Sequence, residues 1–267
     1  MNLSQIKLVV TDMDGTLLNS NHEVSSRFFE LYEALKKRNI TFVAASGRQY
    51  HSIVDKLDRI KNEIIVIAEN GALVKQHEEE LLVTPLQRSL RNELLSEIQY
   101  IDGAHAMLCG KYISYFDGQS VAFLDQLKEY YSSYEVQESF DSVTDEILKI
   151  AVYHPISAED YIYPAMESFD GKIKVKVSGK NWVDLNHANA NKGFALQNVI
   201  ERLGLSADNV LAFGDYNNDV EMLALTKNSV AMQNAHPNVL EVANYTTTSN
   251  DNFGVERVLE KLLEQQN

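Results

Sequence analysis

The chain has 267 residues, 45% of them hydrophobic and 23% charged, enough apolar material for a core and too ordered a composition for a disordered or collagen-like polymer. Against 38 Asp and Glu stand only 24 Lys and Arg, a net charge of −14 that argues against nucleic acid and anionic membrane surfaces as partners. A single cysteine, Cys109, excludes a disulfide framework and reads as a small buried hydrophobe. No apolar run approaches the ~18 residues of a membrane span, and the first residues lack the pattern of a secretory leader, so a cytoplasmic protein is expected.

Residues 6 to 12 are apolar and β-branched and run straight into Met13-Asp14-Gly15-Thr16, the pattern of a buried strand ending in a turn. Val24, Phe28, Leu31, Tyr32 and Leu35 recur at helical spacing, and a second apolar run follows at 40 to 46. A helix near 49 to 60, a strand at 64 to 69 and a turn at Asn70-Gly71 continue the cycle. After position 190 it returns: a helix at about 191 to 203, a strand at 209 to 215, a helix at about 217 to 225, and short strands near 228 to 232 and 244 to 248. Buried strands alternating with amphipathic helices predict an α/β fold, a Rossmann-like parallel sheet with helices on both faces. Between about 84 and 183 the character changes, with half-buried strands at Tyr112 to Phe116 and Lys172 to Val177 and helices near 87 to 100, 119 to 133 and 158 to 168. This predicts an inserted α+β domain, with boundaries 1–83 and 186–267 for the core and 84–185 for the insertion.

Asp12 and Asp14 lie two apart at the carboxyl end of the first strand, where ligand sites of open α/β sheets form. Two carboxylates so close require a cation or a shared proton. A second acidic pair, Asp215 and Asp219 with Asn217 and Asn218 between them, ends another core strand. If the two loops converge, their hard oxygen donors suit Mg²⁺ rather than zinc. Ser46-Gly47 closes the second strand with a hydroxyl and backbone N–H groups suited to phosphate oxygens, and Lys192 opens a helix with a charge of matching sign. Gly15 permits a sharp turn and close backbone approach. A carboxylate nucleophile, a cation, a lysine and a hydroxyl make a phosphoryl-transfer site.

These segments, Asp12-Met13-Asp14-Gly15-Thr16, Ser46-Gly47-Arg48, Lys192-Gly193 and Gly214-Asp215-Tyr216-Asn217-Asn218-Asp219, resemble in order and spacing the four motifs of the haloacid dehalogenase (HAD) superfamily. Ala68-Glu69-Asn70-Gly71-Ala72 and the long insertion resemble more closely its Cof-type phosphatases with a large α+β cap. The resemblance implies that Asp12 is a nucleophile forming an aspartyl phosphate and that Asp14 is the general acid and base. It implies Mg²⁺ held by Asp12, the Asp14 carbonyl and Asp215 with Asp219 beside them, and phosphoryl oxygens bound by Ser46, Gly47, Lys192, Asn218 and the Met13 N–H. It further implies hydrolysis of small phosphomonoesters, sugar phosphates or phosphorylated cofactors, by a monomer or small homo-oligomer. A phosphomutase of the same superfamily, a phospho-acceptor and a non-catalytic binding protein are the alternatives. The Asn-rich segment 183–191 departs from the pattern of relatives, and His187 within it reads as a polar loop residue. Lys172, Lys174 and Lys176 alternate with apolar residues, and a basic strand face there could draw in an anionic substrate.

Overall fold

The five residues of the first strand, Leu-Val-Val-Thr-Asp, are buried throughout. A strand covered on both faces has no need of alternation, which is why this stretch reads as one apolar run. The computed structural model describes residues 1–118, 123 and 134–266. They divide into two compact units, residues 1–82 with 191–267 and residues 83–190.

In chain order the first unit begins with β1 (Leu8–Asp12), α1 (Ser26–Lys37), β2 (Thr41–Ala45), α2 (Tyr50–Lys56), β3 (Ile65–Ala68), β4 (Leu73–Gln76) and β5 (Glu79–Val83). The second unit carries α3 (Arg88–Ile98), β6 (His105–Gly110), β7 (Ser114–Phe116), β8 (Tyr134–Val136), β9 (Ile147–Tyr153), α4 (Ala158–Tyr161), α5 (Tyr163–Met166), β10 (Ile173–Gly179) and β11 (Trp182–His187). The chain returns to the first unit through α6 (Lys192–Arg202), β12 (Val210–Gly214), α7 (Val220–Ala224), β13 (Asn228–Ala231), α8 (Pro237–Val242), β14 (Tyr245–Thr246) and α9 (Gly254–Gln265).

The first unit's sheet has the order β14-β13-β12-β1-β2-β3-β4-β5. Pairing is parallel from β14 to β3, and β4 joins β3 antiparallel. Strand order reverses at β1, whose neighbours are β2 on one side and β12 on the other, so the loops leaving these three strands emerge side by side at a topological switch point. One face packs Leu8, Val10, Val43 and Ala212 against Ala195, Leu196, Val199, Met222 and Leu223 of α6 and α7. Ser25 fixes the start of α1 by accepting the Phe28 N–H at 3.0 Å, and Asn191 fixes the start of α6 by accepting the Phe194 N–H at 2.7 Å. That second cap makes Lys192 the first residue of its helix. The antiparallel β4 and the following β5 extend the sheet beyond the strands that the periodicity predicts. The C-terminal α9, also outside that reading, is tied to the start of α1 by Ser25 Oγ donating to Glu256 at 2.6 Å and by an Arg27–Glu260 ion pair.

The second unit is a six-stranded sheet of order β10-β11-β9-β6-β7-β8, antiparallel except for β7 beside β8. Cys109 is buried on β6. Several expectations need correction here. The helix expected over 158 to 168 is broken into α4, α5 and a 3₁₀ turn at Glu167–Phe169, because Pro164 lacks the N–H and adds the ring that stop a continuing helix. Lys172 lies before β10 and faces Glu93 at 3.8 Å, so the strip of three strand lysines reduces to Lys174 and Lys176, opposite Asn186 and Asp184. Segment 183–191 is a polar loop only in its second half: Val183 to His187 belong to β11, and His187 Nδ1 accepts the Asn189 N–H at 3.1 Å. The expected junction at 185/186 therefore falls inside a strand. The helix expected at 119 to 133 lies outside the described residues except at Phe123.

Candidate active site

Asp12 is the last residue of β1, Ser46 follows β2, and Asp215 follows β12, so the sheet order alone brings the first, second and fourth segments of the resemblance to one edge. The third arrives by helix packing: Lys192 on α6 is fully buried, and its Nζ donates to Asp12 Oδ1 at 2.5 Å and to Asp219 Oδ1 at 2.7 Å. Burial disfavours this ammonium, but the charges of Asp12 and Asp219 overcome it and raise its pKa. The other Asp219 oxygen accepts the backbone N–H groups of Asp215 at 3.0 Å and Tyr216 at 3.1 Å. Asp219 is thus a buried clamp that holds the loop carrying Asp215 and the ammonium beside Asp12.

Asp12, Asp215 and Asp219 each bring a carboxylate oxygen within 4.8 Å of the others. Burial pushes the Asp12 carboxyl well above the usual carboxylate range; Lys192 opposes that shift, and Asp219 and Asp215 reinforce it. Asp215 is pushed up to about 6, by burial first and the Asp219 charge second, against the Thr16 hydrogen bond and Lys192. Thr16 Oγ1 donates to Asp215 Oδ1 at 2.9 Å. Gly15, at φ 78°, lies so close that a Cβ there would stand 2.3 Å from Asp215 Oδ2. Three crowded carboxylates with one lysine between them outnumber the positive charge at hand. All three donors are hard oxygens, with no sulfur or imidazole among them, so the residues fit a divalent cation of the Mg²⁺ type.

Asp14 does not join this cluster. Its carboxylate is gripped by Arg48, Nε to Oδ2 and Nη2 to Oδ1 at 2.6 Å each, with His22 Nδ1 at 3.4 Å. Partial burial works against ionisation, but the Arg48 hydrogen bond and charge, with help from His22, hold the carboxyl below its ordinary value. Met13, between the two aspartates, has a buried side chain, and its carbonyl accepts the Leu18 N–H at 2.8 Å. Ser46 is buried; its N–H donates to Ile67 O at 2.8 Å, and its Oγ accepts the Arg48 N–H at 3.1 Å. Gly47 lies against the side chain of Asn70, and Asn218 Nδ2 donates to Asn70 Oδ1 at 3.0 Å. Sequence reasoning included Arg48, Thr16 and Asn70 in their motifs without giving them contacts, and it passed over His22 entirely. Thr16 follows the glycine that brings Asp215 close, which is a local signal; nothing in the spacing points to His22.

The family model for haloacid dehalogenase-like hydrolases matches residues 9–259. A curated relative, the 5-amino-6-(5-phospho-D-ribitylamino)uracil phosphatase YbjI of Escherichia coli, is 30% identical over 264 residues, 98% of this chain and 97% of that protein. Among solved structures, SMU.1108c of Streptococcus mutans is 30% identical with a TM-score of 0.85, covering 97% of this chain and 99% of its own. A protein of Eubacterium rectale is 27% identical with a TM-score of 0.90, covering 96% of this chain and 99% of its own. With a model match over nearly the whole chain and this relative over its full length, the chain belongs to the haloacid dehalogenase-like hydrolases and, within them, to the phosphatases.

Proposed function

We propose that this chain is a Mg²⁺-dependent phosphatase of small phosphomonoesters that works through an aspartyl phosphate on Asp12, with residues 83–190 as its cap domain. The observation that carries the proposal is the Asp12–Lys192–Asp219 arrangement beside Asp215: a buried carboxylate, a paired ammonium and a surplus of negative charge at the end of the central strand. The Asp12 and Asp215 side chains and the Asp14 carbonyl would hold the cation, with Asp219 holding Asp215 in place. When bound, Mg²⁺ supplies positive charge against the phosphoryl oxygens and so lets an anionic group approach the aspartates.

Asp12 Oδ attacks phosphorus, a P–O bond forms to the carboxylate, and the bond from phosphorus to the leaving oxygen breaks. Asp14 gives its proton to the departing alkoxide. It then takes a proton from the water that attacks phosphorus, which releases inorganic phosphate and restores Asp12. Because Arg48 favours ionised Asp14, the proton-donating state requires that pair to open. Lys192 keeps its charge next to the reacting carboxylate, and the Met13 and Gly47 N–H groups, the Ser46 hydroxyl and the Asn218 amide are donors for the phosphoryl oxygens.

Candidate substrates are sugar phosphates, phosphorylated cofactors and, from the relative in Escherichia coli, a phosphorylated ribitylaminouracil. All present a phosphate on a small alcohol carbon, and the motif residues address only the shared phosphoryl group. A panel of these esters, assayed for phosphate release with Mg²⁺ and again with chelator, tests the reading. Chelator-sensitive release with one class favoured in kcat/KM is expected; no release from any ester contradicts it.

A further inference from the structure

Three consecutive residues after β3, Glu69, Asn70 and Gly71, have left-handed backbones with φ of 50°, 55° and 99°. Glycine adopts that region freely and asparagine tolerates it, so the strain falls on Glu69, and such strain marks places where the surrounding structure fixes a functional geometry. The turn is tied to the loop after β2: the Glu69 N–H donates to Arg48 O and the Asn70 N–H to Ser46 O, both at 3.0 Å. A Cβ on Gly47 would stand 3.0 Å from Asn70 Oδ1, and one on Gly71 would stand 2.3 Å from the carbonyl oxygen of Asn191, the residue that caps the Lys192 helix. Asn70 Oδ1 also accepts the Asn218 amide at 3.0 Å. One short turn therefore touches the second, third and fourth motif segments together.

On the phosphatase reading above, we propose that Asn70 is a positioning residue of the phosphate cradle, acting by holding the Asn218 amide in a single orientation. A carboxamide nitrogen carries two N–H donors, and its oxygen is an acceptor. Fixing one Asn218 N–H on Asn70 leaves the other free to donate to an anion and turns the carbonyl oxygen away from it. Released from Asn70, the amide can flip and set an acceptor against the phosphoryl oxygens. The backbone at φ of 55° accepts either asparagine or glycine, and what glycine lacks is the side-chain oxygen that takes the Asn218 amide.

That contrast supplies the test, with p-nitrophenyl phosphate as substrate and inorganic phosphate as competitive inhibitor. Asn70→Gly is expected to stay folded, melting within a few degrees of wild type, yet to lose roughly tenfold in kcat/KM and in affinity for inorganic phosphate, the scale of one hydrogen bond to a charged group. In an Asn218→Ala background the same change is expected to add little, because the amide it positions is gone. Wild-type kcat/KM and phosphate inhibition in Asn70→Gly would overturn the proposal, as would losses that multiply in the double variant. Inactivity of the wild-type protein towards every phosphomonoester would overturn the phosphatase reading first, and is seen without any variant.

Discussion

Arg48 holds both carboxylate oxygens of Asp14, Nε on Oδ2 and Nη2 on Oδ1, at 2.6 Å each, although the two residues lie on different loops. The pair stabilises the fold only while Asp14 is ionised. A carboxyl whose folded pKa is depressed contributes stability above its unfolded value of 3.8, and that contribution is lost as the pH falls through the lower, folded pKa. Since the Asp14 side chain is 41% exposed, the contribution is discounted to about 1 kcal/mol or less. Denaturant unfolding is expected to show Arg48→Ala destabilised by that amount at neutral pH and progressively less below pH 3.8. A deficit that stays constant across this range would argue against the ion pair as its source.

Asp215 has the opposite sign. Its folded pKa of about 6 exceeds the unfolded 3.8, so in metal-free protein the folded state binds the extra proton and stability falls as the pH rises through that window. Asp215→Asn, free of metal, is expected to exceed wild type by about 1 kcal/mol above pH 6, after allowance for solvent screening, and to match it near pH 4. Mg²⁺ should raise the melting temperature of the wild type and leave the variant unmoved. An equal Mg²⁺ shift in both proteins would remove Asp215 from the cation site.

Lys192 pairs with two buried carboxylates at once. Lys192→Met keeps most of the side-chain length and removes the charge, leaving Asp12 and Asp219 unpaired; a loss of about 3 kcal/mol is expected from denaturant midpoints at neutral pH, together with loss of turnover. A variant as stable as wild type would show that the two carboxylates do not depend on this ammonium.

Gly15 is constrained by both space and dihedral. Its φ of 78° and the 2.3 Å that would separate a Cβ from Asp215 Oδ2 mean that Gly15→Ala must displace the Asp215 side chain. The Mg²⁺ concentration giving half-maximal activity is expected to rise roughly tenfold or more. An unchanged Mg²⁺ requirement would show that Asp215 can move without consequence.

What the sequence showed and what it hid follow from range. β1 is a short apolar run that ends in Asp12, and β2, β3 and β12 are short apolar runs followed at once by Ser46, Glu69 and Asp215, so both the strand and the loop chemistry at its end are local signals. In the second unit, β9 is an apolar run interrupted only by Lys149, and β6 mixes His, Met, Cys and Gly, so neither alternates; both are buried on sheet pairing that sequence periodicity does not report. The four acidic residues of the candidate site, and through the family resemblance the roles expected of them, could be named from the chain, but not the contacts that hold them. That Asp219 clamps a loop, that Asp14 is held by Arg48 and that Lys192 bridges Asp12 to Asp219 depend on contacts between residues as far as 180 positions apart.

On the proposed mechanism Asp12 is the nucleophile. The most direct measurement of that role is turnover of p-nitrophenyl phosphate with Mg²⁺ by Asp12→Asn, alongside circular dichroism and thermal unfolding to confirm the fold. Asparagine keeps the shape and removes the attacking oxygen anion, so the account predicts a folded protein whose kcat falls by roughly a thousandfold or more. A folded Asp12→Asn protein that turns over at the wild-type rate would contradict it.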